Sequence, residues 1–149
     1  MNNLSSTVLR SLILRLLTVV AQEYEGMALL ENDLVFSKYR AAIQDALDYI
    51  DAHYTEIISL EQISKIALMS VRSFSYVFKE ITKKTFLEYV HFLRIRRACE
   101  LLKNTDMTAT EICMECGFCH AAYFSRIFKK LIGCPPHTYR KNARSGTHL

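Results

Sequence analysis

Residues 111–141 read "EICMECGFCHAAYFSRIFKKLIGCPPHTYRK", and two incompatible chemistries compete for them. Cys116-Gly-Phe-Cys119-His120 is a C-x-x-C-H, the spacing of covalent haem attachment, and Cys113 extends it to the C-x-x-C-x-x-C of a metal or iron–sulfur site. The same letters also carry a helical period. Ile112, Cys113 and Cys116 share one face of a short helix, Gly117 supplies the backbone freedom of a turn, and Phe118 plugs the space between helices. Phe124, Ile127, Phe128 and Leu131 then mark the inner face of a second helix, which Cys119 and His120 open.

A repeat decides between the two. "SFSYVFKEI" (73–81) matches "YFSRIFKKL" (123–131) at an offset of 50 residues, sharing Phe-Ser-x-x-Phe-Lys. Each is preceded by a short helical stretch, "LEQISKIA" or "ATEICMEC", and a tight turn, so each unit reads helix, turn, helix. A porphyrin would need a cavity and a distal ligand that a tight turn cannot house. A metal site would need a fourth ligand, with His120 and Cys134 in reach only if Cys113 and Cys116 left the core. The three thiols are therefore expected to pack as small hydrophobes. A redox- or metal-responsive role for Cys113, Cys116 and Cys119 stays as an alternative.

The surrounding chain supports an all-α fold. Half of the 149 residues are apolar, while four Gly and two Pro are too few to punctuate a strand-rich domain. Capping boxes at Ser59…Gln62, Thr85…Glu88 and Thr108…Glu111 predict three helix starts. Ser70 caps "VRSFSYVF", and Pro136 suits the first turn of a last short helix. Between the units, Phe86, Tyr89, Val90, Leu93, Ala98, Leu101 and Leu102 recur at helical spacing in "TFLEYVHFLRIRRACELLKN" (85–104). About 18 helical residues span about 27 Å, close to the roughly 34 Å of one DNA turn.

Upstream, a helix is expected from about Ser37 to His53, with Tyr39, Ile43, Ala46, Leu47 and Ile50 inward. Residues 4–25 form an amphipathic helix whose Leu9, Leu12, Leu16 and Val19 need a partner surface; Gly26 ends it, and "MALLENDLVF" (27–36) connects. Arg10 and Arg15 break "SSTVLRSLILRLLTVVAQ" into runs too short for a signal peptide or a membrane span. Five clustered cysteines argue against a secreted disulfide framework, so a cytoplasmic protein is expected.

Charge is uneven. Residues 1–50 hold four Lys/Arg against six Asp/Glu, whereas residues 51–149 hold fifteen against nine, a net +6 that favours a phosphate-bearing partner. No Gly-rich phosphate loop, paired catalytic carboxylates or nucleophile motif points to an enzyme, and no cofactor or metal is implied.

From Ser37 to Ala143 the chain resembles the DNA-binding domain of the AraC/XylS transcription regulators. The resemblance rests on Gly117-Phe118, the Tyr-Phe-Ser-Arg-x-Phe-Lys-Lys run from Tyr123, the Gly-x-Pro-Pro-x-x-Tyr-Arg from Gly133, "SLEQISKIALMSVRSFSYVFK" and "YVHFLRIRRACELL". It implies two helix-turn-helix units (about 59–82 and 108–132) on a linker helix, within a domain of residues 37–143. Residues 1–36 then hold the extra helix and connector, and 144–149 a flexible tail. Lys83 stands where the family usually has a Gly, so that turn is expected to be less regular; Cys113, Cys116 and Cys119 replace small or apolar residues. Residues 4–25 resemble the helix that closes a sensor domain in larger members and often dimerises. Thirty-six residues hold no such sensor, so the chain either lacks one or is the C-terminal piece of a longer regulator.

The resemblance implies a bacterial, sequence-specific regulator with promoter DNA as partner, RNA polymerase as a second, a homodimer through 4–25, and no membrane. Base contacts fall on the outer stripes: Arg72, Ser75 and Tyr76 in the first unit, and His120, Ala121, Ala122, Ser125 and Arg126 in the second. Arg72 and Arg126 lead, because a guanidinium reads guanine O6 and N7 bidentately. Lys79, Lys83, Lys84, Lys129, Lys130 and Arg140 are expected on phosphates. Arg94, Arg96 and Arg97 on the linker are expected in ion pairs. An interaction module acting through residues 4–25 is the other functional class.

Overall fold

The computed structural model describes residues 39–145, which among themselves form helices and turns with no strand. The helix expected over 4–25, the connector and the start at Ser37 lie outside the described residues. Seven helices follow: α1 (39–53), α2 (Leu60–Ile66), α3 (Val71–Thr82), α4 (Phe86–Asn104), α5 (Ala109–Glu115), α6 (Ala121–Ile132) and α7 (Pro136–Arg144).

Local chemistry sets most of these boundaries. Thr85 and Thr108 close full capping boxes: each hydroxyl accepts from the amide three residues on, at 3.3 and 3.2 Å, and the Glu88 and Glu111 carboxylates accept from the threonine amides at 2.9 and 2.6 Å. The third box is only half made. Ser59 accepts from the Gln62 amide at 3.1 Å, but the Gln62 side chain donates to the Tyr49 hydroxyl at 2.8 Å instead of returning to Ser59. A tertiary partner on α1 outcompetes the local one. Ser70 caps α3 through the Ser73 amide, and Pro136 occupies the first turn of α7.

The two units repeat down to their strained positions. Lys83 ends α3 at φ 57°, ψ 19°, its N–H donating to the Lys79 carbonyl at 2.8 Å. Fifty residues on, Gly133 ends α6 at φ 91° with the same bond to Lys129 at 2.9 Å. The turn at Lys83 is thus as regular as its glycine counterpart, correcting the expectation from sequence. The left-handed backbone, costing a non-glycine residue about 1–2 kcal/mol, is simply borne by lysine. Within the helix-turn-helix turns the pairing is Leu68 (φ 53°) and Gly117 (φ 79°). Leu68 keeps its side chain in solvent at 94% exposure. Position 117 has no such outlet, since a Cβ there would lie 2.2 Å from the Thr55 carbonyl oxygen.

α4 is the spine. It packs against α3 on one side and against α5, α6 and α7 on the other. On α3, Phe74 and Phe78 are buried with their rings 5.1 Å apart, and Ile43, Ala46, Ile50 and Ile63 are buried on α1 and α2; Phe124 and Phe128 fill a core with Ile112, Phe118 and Leu102. Each buried phenylalanine contributes about 1.5–3 kcal/mol of transfer free energy. Two residues that the linker's period did not single out are also buried, Ile95 and His91. Leu131, expected inward, is 46% exposed and lines the grooves beside α4 with Phe92.

Across the spine the units are joined by Arg94. Its guanidinium donates to the carbonyls of Tyr54 (2.6 Å), Glu56 (2.8 Å) and Gly117 (2.6 Å), binding the loop after α1 to the turn of the second unit. Among the described residues Arg94 has no ion pair; Arg97 does pair, with Glu100 at 3.1 Å, and Arg96 is exposed. At the C-terminus, Arg144 still belongs to α7 and reaches Asp106 at 2.8 Å, so the ordered domain extends past residue 143.

Candidate nucleic-acid interface

α3 and α6, twelve residues each, are the second helices of the two units, and periodicity gives each a buried and an exposed stripe. On α3, Phe74, Val77 and Phe78 are buried, while Arg72, Ser75, Tyr76 and Lys79 are exposed, Tyr76 at 64%. The Ser75 hydroxyl donates to the Val71 carbonyl at 2.8 Å, leaving its lone pairs toward solvent. On α6, Ala121, Ala122, Arg126, Lys129 and Lys130 are exposed and Ser125 is half-buried. His120 is the exposed N-cap residue of α6 and makes no capping bond through its side chain.

Tertiary structure adds groups that the period did not mark. The Arg126 guanidinium lies 5.1 Å from the centroid of the Tyr123 ring. The Tyr123 hydroxyl is 3.3 Å from His91 Nε2 on α4, and His91 stacks on Phe118 at 5.9 Å. Burial holds the His91 pKa below its ordinary value, with the Arg94 and Lys130 charges acting the same way, so the ring is neutral near pH 7. The only signal of Tyr123 in the sequence is its i, i+3 spacing to Arg126.

The lysines sort into two sets. Lys79 and Lys129 hold equivalent exposed positions in the two units. The adjacent Lys83 and Lys84 and the distant Lys130 line one groove of about 280 Å³ with His91, Phe92 and Ile127. Lys84 sits 5.4 Å from the Phe92 centroid, and Lys83 is 3.4 Å from Glu80 at the surface, a pair that solvent leaves weak. Arg140 donates to the carbonyls of Leu102, at 3.2 Å, and Met107, fastening α7 to the end of α4. These bonds use two of the five guanidinium N–H groups.

The cysteines separate. Cys113 and Cys116 are buried on α5 and its cap, and Cys113 Sγ donates to the Phe118 carbonyl at 3.5 Å; Cys119 is exposed. Burial raises the Cys113 pKa and pushes that of Cys116 up to about 12, the opposite of a thiol tuned for redox or metal chemistry. Among the described residues no group of three or more His, Cys, Asp or Glu is placed to hold a metal ion, and no helix is long and apolar enough to cross a membrane.

The family described as "Helix-turn-helix domain" matches residues 63–142, from within α2 into the last turn of α7. The chain belongs to the AraC/XylS family of transcription regulators. Among AraC/XylS relatives, the uncharacterized regulator YijO of Escherichia coli is 30% identical over 109 residues, covering 73% of this chain and 38% of its own. The transcriptional activator RhaS of Escherichia fergusonii is 29% identical over 114 residues, covering 76% and 40%. The DNA-binding domain of AdpA, a global transcriptional factor crystallised with a target DNA, superposes with a TM-score of 0.66 at 25% identity, over 69% of this chain and 93% of that one. The chain thus spans little more than a third of the length of these curated relatives.

Proposed function

We propose that this chain is the DNA-reading part of a cytoplasmic, bacterial transcription activator, which places α3 and α6 in successive major grooves on one face of promoter DNA. The observation that carries the reading is the pair of equivalent helices, each with a buried phenylalanine face and an exposed Arg- and Lys-bearing stripe, set on either side of one 19-residue helix. Such a helix is about 28 Å long, which suits grooves one turn apart. The AdpA domain's complex with target DNA supports the partner, and the name of RhaS supports activation.

Within this reading Arg72 and Arg126 read bases, Ser75, Tyr76 and Ser125 flank them, and Ala121 and Ala122 permit close approach. His120 stands where a base or a phosphate meets the start of α6. Lys79, Lys83, Lys84, Lys129 and Lys130 neutralise phosphates and set the salt dependence. RNA polymerase is the second partner of an activator. The apolar stripe of Leu9, Leu12, Leu16 and Val19 supports a homodimer through residues 4–25. Selection from randomised duplexes tests the reading. Two enriched elements about one helical turn apart are expected; salt-sensitive binding without any enriched sequence would refute it.

A further inference from the structure

We infer that Tyr123 is a positioning residue for base recognition: its ring carries the Arg126 guanidinium at the angle the base requires, and its hydroxyl fixes the ring against His91 of the linker helix. The inference rests on Arg126 reading a base.

Three contacts in series make the case. An exposed arginine on a recognition helix has many rotamers, and holding one of them before binding reduces the entropy lost on binding. Here the guanidinium lies 5.1 Å from the Tyr123 centroid, within the range of a cation–π contact. The ring is itself held. Its hydroxyl is 3.3 Å from His91 Nε2, and its face packs near Phe118 at 6.3 Å, while His91 stacks on that same Phe118. Phe118 lies 5.5 Å beneath the Arg94 guanidinium, the group that ties the second unit's turn to the loop after α1. The pose of the base-reading arginine is therefore referenced to the spine and not only to its own helix. The first unit lacks this arrangement. Fifty residues upstream of Tyr123 stands Ser73, whose hydroxyl is engaged with Ser70, so Arg72 and Tyr76 have no equivalent ring to rest on.

A binding competition on duplexes carrying each of the four base pairs at the Arg126 position, and separately at the Arg72 position, tests this. Arg126→Ala first identifies the base pair concerned. Tyr123→Leu is then expected to lower discrimination there by about two- to fivefold, the scale of an exposed cation–π contact, while discrimination at the Arg72 position stays unchanged. Tyr123→Phe, which keeps the ring and loses the hydroxyl, falls between Tyr123→Leu and wild type. Should Tyr123→Leu fold poorly by circular dichroism, Tyr123→Met keeps the apolar bulk without a ring face and is read the same way. Equal losses at both positions would mark Tyr123 as merely structural and overturn the inference, as would unchanged discrimination. If Arg126→Ala itself alters no base preference, the assignment of Arg126 fails first, and the inference falls with it.

Discussion

An alanine at position 117 would place its Cβ 2.2 Å from the Thr55 carbonyl oxygen, 2.7 Å from its carbonyl carbon and 2.8 Å from its Cα. All three are backbone atoms, so no side chain can swing aside, and the loop after α1 must move. That loop is held by Arg94 through the flanking Tyr54 and Glu56 carbonyls, and Arg94 also holds Gly117 itself. Three costs follow for Gly117→Ala. The left-handed φ of 79° costs about 1–2 kcal/mol. Overpacking adds about 1–3 kcal/mol. Weakening one charge-assisted bond of Arg94 adds about 1.5–3 kcal/mol. The reduced chain entropy of the unfolded alanine variant returns about 0.4–1 kcal/mol, leaving a net loss of about 2.5–7.5 kcal/mol. That is much of the 5–15 kcal/mol typical of a domain. Gly133→Ala isolates the first cost, because its φ of 91° is also left-handed but nothing lies within 4 Å of the added Cβ. It should lose only about 1 kcal/mol. Equilibrium urea unfolding of the two variants, followed by helical circular dichroism, compares them directly. Losses within about 1 kcal/mol of each other would refute the claim that close approach at Gly117 joins the two units.

Arg126→Ala should relax preference at one base pair by about 1–3 kcal/mol, whereas Lys129→Ala should weaken all duplexes alike and reduce the salt slope by about 1; equal effects of both on specific and random DNA would overturn the division of roles. Lys83→Gly and Leu68→Gly remove left-handed strain from exposed side chains and should each stabilise by about 0.5–1 kcal/mol in urea unfolding. A maleimide at neutral pH should label Cys119 first and Cys116 last, since one thiol is exposed and the other is buried with its pKa near 12; peptide mapping of the labelled protein reads the order. For His91 the folded pKa lies below the ordinary 6.5, so the unfolded chain takes up the proton first. Its neutral ring therefore favours the fold above about pH 6.5, and that contribution fades as the pH falls toward the lower folded value. His91→Gln should flatten this stretch of the stability–pH curve, and an unchanged slope would contradict it.

Most of the fold was legible because it is written locally. Thr85…Glu88 and Thr108…Glu111 close within one turn of chain, and the phenylalanine stripes of α3 and α6 repeat at the period of a single helix. The failures share a cause. Gln62 left its own cap for Tyr49, thirteen residues away. Arg94 took main-chain carbonyls between 23 and 40 residues distant where an ion partner was expected. Leu131 sits on the right stripe of α6 but lines an open groove beside α4 instead of a closed core.

The letters of the chain were enough to establish two helix-turn-helix units, their boundaries, and the stripe of each recognition helix that faces outward. Capping, turn geometry and amphipathic period depend on residues three or four apart, and those distances are set by the helix alone. They were enough, too, to turn the C-x-x-C-H from a ligand set into packing, since the repeat put Cys113 and Cys116 on a buried face. Packing in three dimensions settled the rest: which arginines are fasteners and which stay exposed, how close the second turn comes to Thr55, and that Arg126 rests on a tyrosine braced from another helix. Each of these depends on how separate helices lie against one another. A backbone carbonyl on a neighbouring element is invisible in a sequence, because every residue carries one and only the fold decides which of them a guanidinium can reach.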